Sequence, residues 1–186
     1  MAIRIYIDQG HNPQSPNSGA EGNGLREQDL VFRIGIETKR LLDQNPDFEA
    51  RLSRPTPETQ LGSSNASSLR ARVDDANSWG ADLFISLHCN ASVDPTASGS
   101  EALVFEIGGT SYAIAEVLLR NLTEATGLRN RGVLIRPGLY VLRRTAMPAV
   151  LLELGFITNP SDAILLRDNP TLFARGIYNG IVAYYG

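Results

Sequence analysis

Eight consecutive residues, Leu83-Phe84-Ile85-Ser86-Leu87-His88-Cys89-Asn90, constrain this chain more than any other stretch: an apolar run that stops abruptly in polar, metal-capable groups. Its length and apolar character, and the Trp79-Gly80-Ala81-Asp82 turn before it, predict a buried strand of an α/β sheet. His88 stands where that strand runs out. Open α/β sheets bind ligands beyond the carboxyl ends of their strands, so a titratable ring delivered there is a functional candidate. The only other histidine, His11, also follows an apolar strand-like run, Ile3 to Asp8, and a glycine.

Composition removes several classes of function. The chain has 186 residues, 42% of them hydrophobic and 20% charged, enough for one domain with a sizeable core and too few to expect two. A net charge of −3 gives no reason to expect nucleic acid, whose binders usually carry a basic patch or stripe. The single cysteine, Cys89, excludes an intrachain disulfide and any zinc site built from paired cysteines. No apolar run is long enough to span a membrane, and no charged segment followed by an apolar one opens the sequence. The expectation is a protein not exported by a signal peptide, or one whose leader or upstream region has been trimmed.

Taken in order, strand-like and helix-like segments alternate. A strand over Ile3 to Asp8 is followed by a loop, Gly10 to Gly24, that is long for a compact domain, and long loops that persist tend to be functional. Leu30, Val31, Ile34, Thr38, Leu41 and Leu42 recur at helical spacing, which puts Glu27 in the first turn of an amphipathic helix. A short strand follows over Phe48 to Ser53, then a polar loop over Pro55 to Ser68 and a helix from about Leu69 to Ser78 that leads into the His88 strand. Further on come a strand over Glu101 to Ile107 and a helix over Tyr112 to Thr126 stopped by Gly127. Val133 to Leu142 reads as two short strands or a hairpin-like excursion around Pro137-Gly138.

Ala149 to Leu154 is a second apolar strand, carrying Glu153 near its end. Asn159-Pro160 and Asn169-Pro170 each have the pattern of an N-cap followed by proline at the first helical position, so two helices close the chain. This alternation predicts a single α/β domain with helices covering a mixed, mostly parallel sheet.

Three groups, His11, Glu27 and His88, can meet if their elements share one sheet edge. Two imidazoles and a carboxylate leave the fourth tetrahedral position of Zn²⁺ open, the pattern of catalytic zinc sites. A dispersed set has no fixed spacing to check, and the competing reading is a loop histidine beside a satisfied strand-end histidine.

Four separated blocks carry a family resemblance. They are Ile7-Asp8-Gln9-Gly10-His11; Gly19-Ala20 with Gly24-Leu25-Arg26-Glu27; Ala81 to Ala91; and Met147-Pro148-Ala149-Val150-Leu151-Leu152-Glu153-Leu154-Gly155-Phe156-Ile157-Thr158-Asn159. In order and content they resemble the zinc-dependent N-acetylmuramoyl-L-alanine amidases of the amidase-3 family, over nearly the whole chain. The resemblance implies a six-stranded mixed sheet flanked by helices, one Zn²⁺ bound by His11, Glu27 and His88, and Glu153 as the catalytic acid. It implies peptidoglycan as substrate, cut between the lactyl carbonyl of muramic acid and L-alanine, hence action in the cell wall or periplasm or on phage-type release. A monomer is expected. One departure stands out: the family commonly has glycine after the first histidine, where this chain has Asn12-Pro13.

Other residues compete for roles. Glu21 is a rival third ligand, but it lies between glycines, whereas Glu27 starts a rigid helix. Asp8 is either a partner of a ligating imidazole or a cap of its own turn. Strand alternation sends Cys89 to the face opposite His88, as an inert buried thiol. Asn90 shares the face of His88 and is a substrate-binding candidate; Arg143, with Arg144, is a candidate for peptide-stem carboxylates. Glu101 and Glu106 read as strand-surface acids. A zinc peptidase on stem peptides could use the same groups, and a non-catalytic wall-binding domain would keep the fold without the chemistry.

Overall fold

The computed structural model describes all residues, Met1–Gly186. In chain order the elements are β1 (Ile3–Gln9), β2 (Glu21–Gly22), β3 (Leu25–Arg26), α1 (Glu27–Asp43), β4 (Phe48–Leu52), α2 (Asn65–Trp79) and β5 (Leu83–Asn90). There follow β6 (Ser100–Val104), α3 (Gly109–Thr126), β7 (Asn130–Ile135), α4 (Tyr140–Arg144), β8 (Ala149–Phe156), α5 (Pro160–Asp168) and α6 (Pro170–Tyr185). Six strands form one sheet in the order β4-β1-β5-β8-β6-β7, while β2 and β3 make a small antiparallel pair beside it. β4, β1, β5 and β8 are mutually parallel; β6 joins β8 antiparallel and carries β7 parallel to itself.

The central strands are buried on both faces, as expected of parallel strands covered by helices. Alternation sorts their side chains. Leu83, Ile85, Leu87 and Cys89 of β5 join Ile5, Ile7, Val150 and Leu152 in the larger core, which also takes in residues of α1, α3 and α6. Phe84 of β5 joins Tyr6, Leu151, Val73 and Ala76 in a smaller core shared with α2 and α4. The α3–α6 packing is close because Gly176 and Gly180 let the backbones meet: a Cβ on either would lie under 3 Å from the Cα of Leu122 or Leu118.

Local chemistry sets the element ends. Ser64 and Ser67 close a reciprocal capping box that starts α2 at Asn65, four residues before the expected Leu69, so the polar loop ahead of it is shorter. Gly80 and Gly127 end α2 and α3 in the left-handed conformation, at φ 70° and 73°. Asn159 caps α5 through the backbone amides of Ser161 and Asp162, whereas Asn169 makes no side-chain cap for α6.

Three expectations are corrected. β6 ends at Val104, where its pairing with β7 stops at Ile135 and that with β8 has already stopped at Leu103, and Phe105 and Ile107 are exposed. α3 begins at Gly109, ahead of Tyr112. Val133 to Leu142 is neither two strands nor a hairpin: the Pro137-Gly138 break separates edge strand β7 from the short helix α4.

Candidate metal centre and its acid

Four elements deliver the groups singled out above to one end of the sheet. His11 lies just past the end of β1, Glu27 opens α1, His88 sits near the end of β5 and Glu153 near the end of β8. His11 Nε2 lies 3.1 Å and His88 Nδ1 3.0 Å from the same atom, Oε1 of Glu27. The donor atoms of the three residues lie within 4.8 Å of one another. The two rings meet edge to face at 78°, with centroids 4.8 Å apart.

Glu27 is fastened from below. Its Oε1 accepts the Cys89 amide at 2.9 Å and its Oε2 the Ala20 amide at 2.8 Å. The carboxylate is almost sealed, at 4% side-chain exposure, while the imidazoles of His11 and His88 stay about one-fifth open, at 20% and 19%. Burial alone would raise the pKa of Glu27, but the hydrogen bonds and charges of His11 and His88 hold it well below the usual carboxylate range. Glu27 is therefore ionised, and the two imidazoles beside it give the centre its opening to solvent.

Close packing around the centre demands glycine. A Cβ at Gly10 would lie 2.5 Å from Cε1 of His88 and 2.6 Å from the Leu87 carbonyl, and one at Gly19 would crowd Glu27 and His11.

Glu153 is the register partner of His88 across β5 and β8. Its Oε2 is buried and has no hydrogen-bond partner in the protein. Burial pushes its pKa up to about 7, opposed by His88 and helped by the charges of Glu27 and Glu101. A buried carboxyl with an unengaged oxygen beside two imidazoles and an ionised carboxylate fits a divalent cation. The nitrogen and oxygen donors suit Zn²⁺, with three protein ligands leaving a position for water or substrate.

A cavity of about 100 Å³ adjoins the centre, lined by Asp8, His11 and His88 on its polar side and by Leu69, Tyr140 and Leu151 among its apolar walls. The other named candidates are placed differently. Asn90 lies beyond a register shift in β5 and is engaged within the protein, its Nδ2 donating to Glu101 Oε2 at 3.2 Å and its Oδ1 accepting the Ala91 amide at 2.9 Å. Arg143 does not line that cavity but a separate hollow with Phe105, Glu106 and Met147. Glu21 sits exposed on β2, outside the cluster. Cys89 faces the larger core, and burial pushes its thiol pKa well up, which makes it inert.

Two readings are overturned. Glu101 is no surface acid: it is buried, with Arg131 Nε donating to its Oε1 at 2.6 Å. Asp8 neither bonds an imidazole nor caps its own turn. Its Oδ1 accepts from Arg72 Nη1 at 2.6 Å and its Oδ2 from the Ser86 hydroxyl at 2.7 Å. Sequence reasoning missed Arg72 and Arg54, both fully buried, because a helical or loop arginine ordinarily marks a solvated face. Asn12, where the resembled family commonly has glycine, is buried too; its side chain bonds the Pro16 and Leu61 carbonyls at 2.8 and 2.9 Å and so ties the first long loop to the second.

Comparison with known proteins finds one family. The family model described as N-acetylmuramoyl-L-alanine amidase matches residues 5–183. N-acetylmuramoyl-L-alanine amidase CwlM of Bacillus licheniformis is 33% identical over 96% of this chain and 67% of its own length. N-acetylmuramoyl-L-alanine amidase LytC of Bacillus subtilis is 35% identical over 97% of this chain, which spans only 35% of that relative. Among solved structures, the catalytic domain of CwlV from Bacillus (Paenibacillus) polymyxa superposes with a TM-score of 0.85 at 33% identity, covering 98% of this chain and 97% of that one.

Proposed function

The chain belongs to the N-acetylmuramoyl-L-alanine amidase family, and from that premise we propose that it uses one Zn²⁺, held by His11, Glu27 and His88, to cut the wall amide with Glu153 as its acid and base. The bond is the one joining the lactyl carbonyl of N-acetylmuramic acid to the amino group of L-alanine in peptidoglycan. The observation that carries this reading is the convergence of two imidazole nitrogens on one buried carboxylate oxygen, with Glu153 in register beside His88.

An amide is a poor electrophile and water a poor nucleophile at neutral pH. Lewis-acid polarisation of the carbonyl and activation of water near neutral pH are the chemistry a bound Zn²⁺ supplies. Glu153 takes a proton from the attacking water, whose oxygen bonds to the lactyl carbon, and returns it to the nitrogen as the C–N bond breaks. The products are a lactyl carboxylate and a free L-alanine amine. Glu27 stays ionised throughout because its two backbone donors and the imidazoles stabilise the anion. Gly10 leaves the His88 ring room to hold its place.

Since peptidoglycan lies outside the cytoplasm, the site of action is the wall or the periplasm, reached by export or by release on lysis. No helix is long and apolar enough to cross a membrane, and the protein works as a monomer in this reading. The test is to digest intact peptidoglycan and identify the new ends. New L-alanine amino termini, paired with muramic lactyl carboxylates, are expected. New ends within the stem peptide, with the muramic–alanine amide intact, would make it a peptidase instead.

A further inference from the structure

Two arginines beneath the candidate centre have an unusual setting. Arg72 of α2 and Arg54, just beyond β4, are both about 1% exposed; Arg72 pairs with the buried carboxylate of Asp8, whereas Arg54 has no carboxylate in salt-bridge contact and donates only to backbone carbonyls. The Arg72 fork reaches four points on one short stretch of chain. Its Nη1 donates to Asp8 Oδ1 and to the Gln9 carbonyl, each at 2.6 Å, and its Nη2 donates to the His11 carbonyl at 2.5 Å and to Asn12 Oδ1 at 3.3 Å. Arg54 Nη1 approaches the same His11 carbonyl at 3.4 Å and donates to the Gln28 carbonyl at 3.1 Å, which links that carbonyl to the first turn of α1.

The carbonyl they grip belongs to a residue in a costly backbone state. His11 has φ 66°, a left-handed conformation that costs a residue other than glycine of order 1–3 kcal/mol. Such a state persists only when its surroundings enforce it. A buried ion pair is itself poor evidence of stabilisation, because desolvating the charges offsets most of their attraction. Apolar residues of similar volume often replace such a pair without loss of stability. What they would not do is point donors at the His11 carbonyl.

We propose that Arg72, assisted by Arg54, is a positioning residue for the metal centre, holding the His11 carbonyl so that the left-handed turn aims the His11 imidazole at Glu27. The inference rests on the metal-centre reading above. Asp8 neutralises Arg72 and, held by Ser86 of β5, fixes the guanidinium against the sheet. Lysine cannot substitute, because one ammonium cannot span four acceptors arranged for a planar fork.

Two variants of the full chain test this. The pair Asp8→Asn with Arg72→Met removes both charges together, so that no unpaired buried carboxylate remains, and leaves the Ser86 hydroxyl an acceptor. Arg72→Lys keeps the charge and loses the fork. For each, the zinc dissociation constant is measured by competition with a chromophoric chelator. The ¹³C shifts of the His11 backbone, which report its φ, are read in zinc-free protein alongside the melting temperature. Both variants are expected to fold, to bind zinc roughly 10- to 100-fold more weakly, the usual cost of losing a group that orients a ligating histidine, and to move the His11 shifts out of the left-handed range. If the double variant does not fold, Arg72→Lys decides alone. Wild-type affinity with unchanged His11 shifts in a folded variant overturns the proposal. Wild-type protein that binds no zinc overturns the metal-centre reading instead, and the zinc-free shifts then still decide whether Arg72 sets the His11 turn.

Discussion

Glu153 and His88 face each other across β5 and β8 as partners in a parallel register, so two side chains 65 positions apart in sequence leave the same sheet face at the same level. That pairing brings a carboxyl to the ring without any loop having to fold over it. It also makes the acid rigid, since β8 is the innermost strand on that side of β5.

Glu153→Gln keeps the size of the side chain and removes its ability to accept a proton. Turnover of peptidoglycan should fall by about 10²–10⁴-fold, the range that general acid–base catalysis contributes, while zinc content stays at the wild-type level. Rate and metal content measured on the same preparation check this. A variant with undiminished turnover would remove Glu153 from the mechanism.

His88→Ala has a different signature. It takes away a ligand, so zinc affinity should fall by more than the roughly 10- to 100-fold typical of losing a residue that merely supports a ligand, and rate should fall with it. Chelator competition reads the affinity. If zinc binding is unaffected, His88 is not a ligand.

Gly10→Ala probes the packing directly. The new methyl would sit 2.5 Å from the His88 ring and 2.6 Å from the Leu87 carbonyl, which is backbone and cannot step aside. Overpacking of this kind costs about 1–3 kcal/mol, and displacement of His88 should weaken zinc binding as well. Gly138→Ala, where a Cβ meets nothing within 4 Å, is the control expected to change neither stability nor affinity. Thermal melts of both variants, with and without zinc, make the comparison.

The pH dependence of stability follows from Glu153 with a definite sign. In metal-free protein burial raises its pKa from 4.5 to about 7, so across that window the native state keeps a proton that the unfolded chain has released. Stability from this group therefore falls as pH rises through the window, by on the order of 1–3 kcal/mol. Burial pulls the pKa of His88 down and Glu27 more than reverses it, so His88 titrates in the same direction and would blur a wild-type curve. The difference between Glu153→Gln and wild type isolates the acid: the melting-temperature advantage of the variant should grow between about pH 5 and about pH 8. A constant difference would mean that Glu153 is ionised throughout.

Much of this architecture was legible in the chain because its signals are local. The apolar run Leu83–Asn90 predicts β5, the spacing from Leu30 to Leu42 predicts α1 with Glu27 in its first turn, and Asn159-Pro160 predicts the start of α5. The sheet and its family were also readable from those blocks. What was not legible depends on contacts between distant residues. Arg72 meets Asp8 across 64 positions, and no periodicity distinguishes it from a solvated helix arginine. Glu101 looks like an exposed acid until Arg131, 30 positions on, closes over it. α4 is five residues long, too short to show a helical pattern, so Tyr140 was not foreseen as a wall of the cavity beside His88.

The central claim is that this chain's amide hydrolysis depends on a zinc ion held by His11, Glu27 and His88. It is tested most directly by following the release of L-alanine amino termini from peptidoglycan by chelator-stripped protein, before and after adding a single equivalent of Zn²⁺. No release before addition and full release after it is the predicted result. Stripped protein that releases those termini as fast as the reconstituted protein would contradict it.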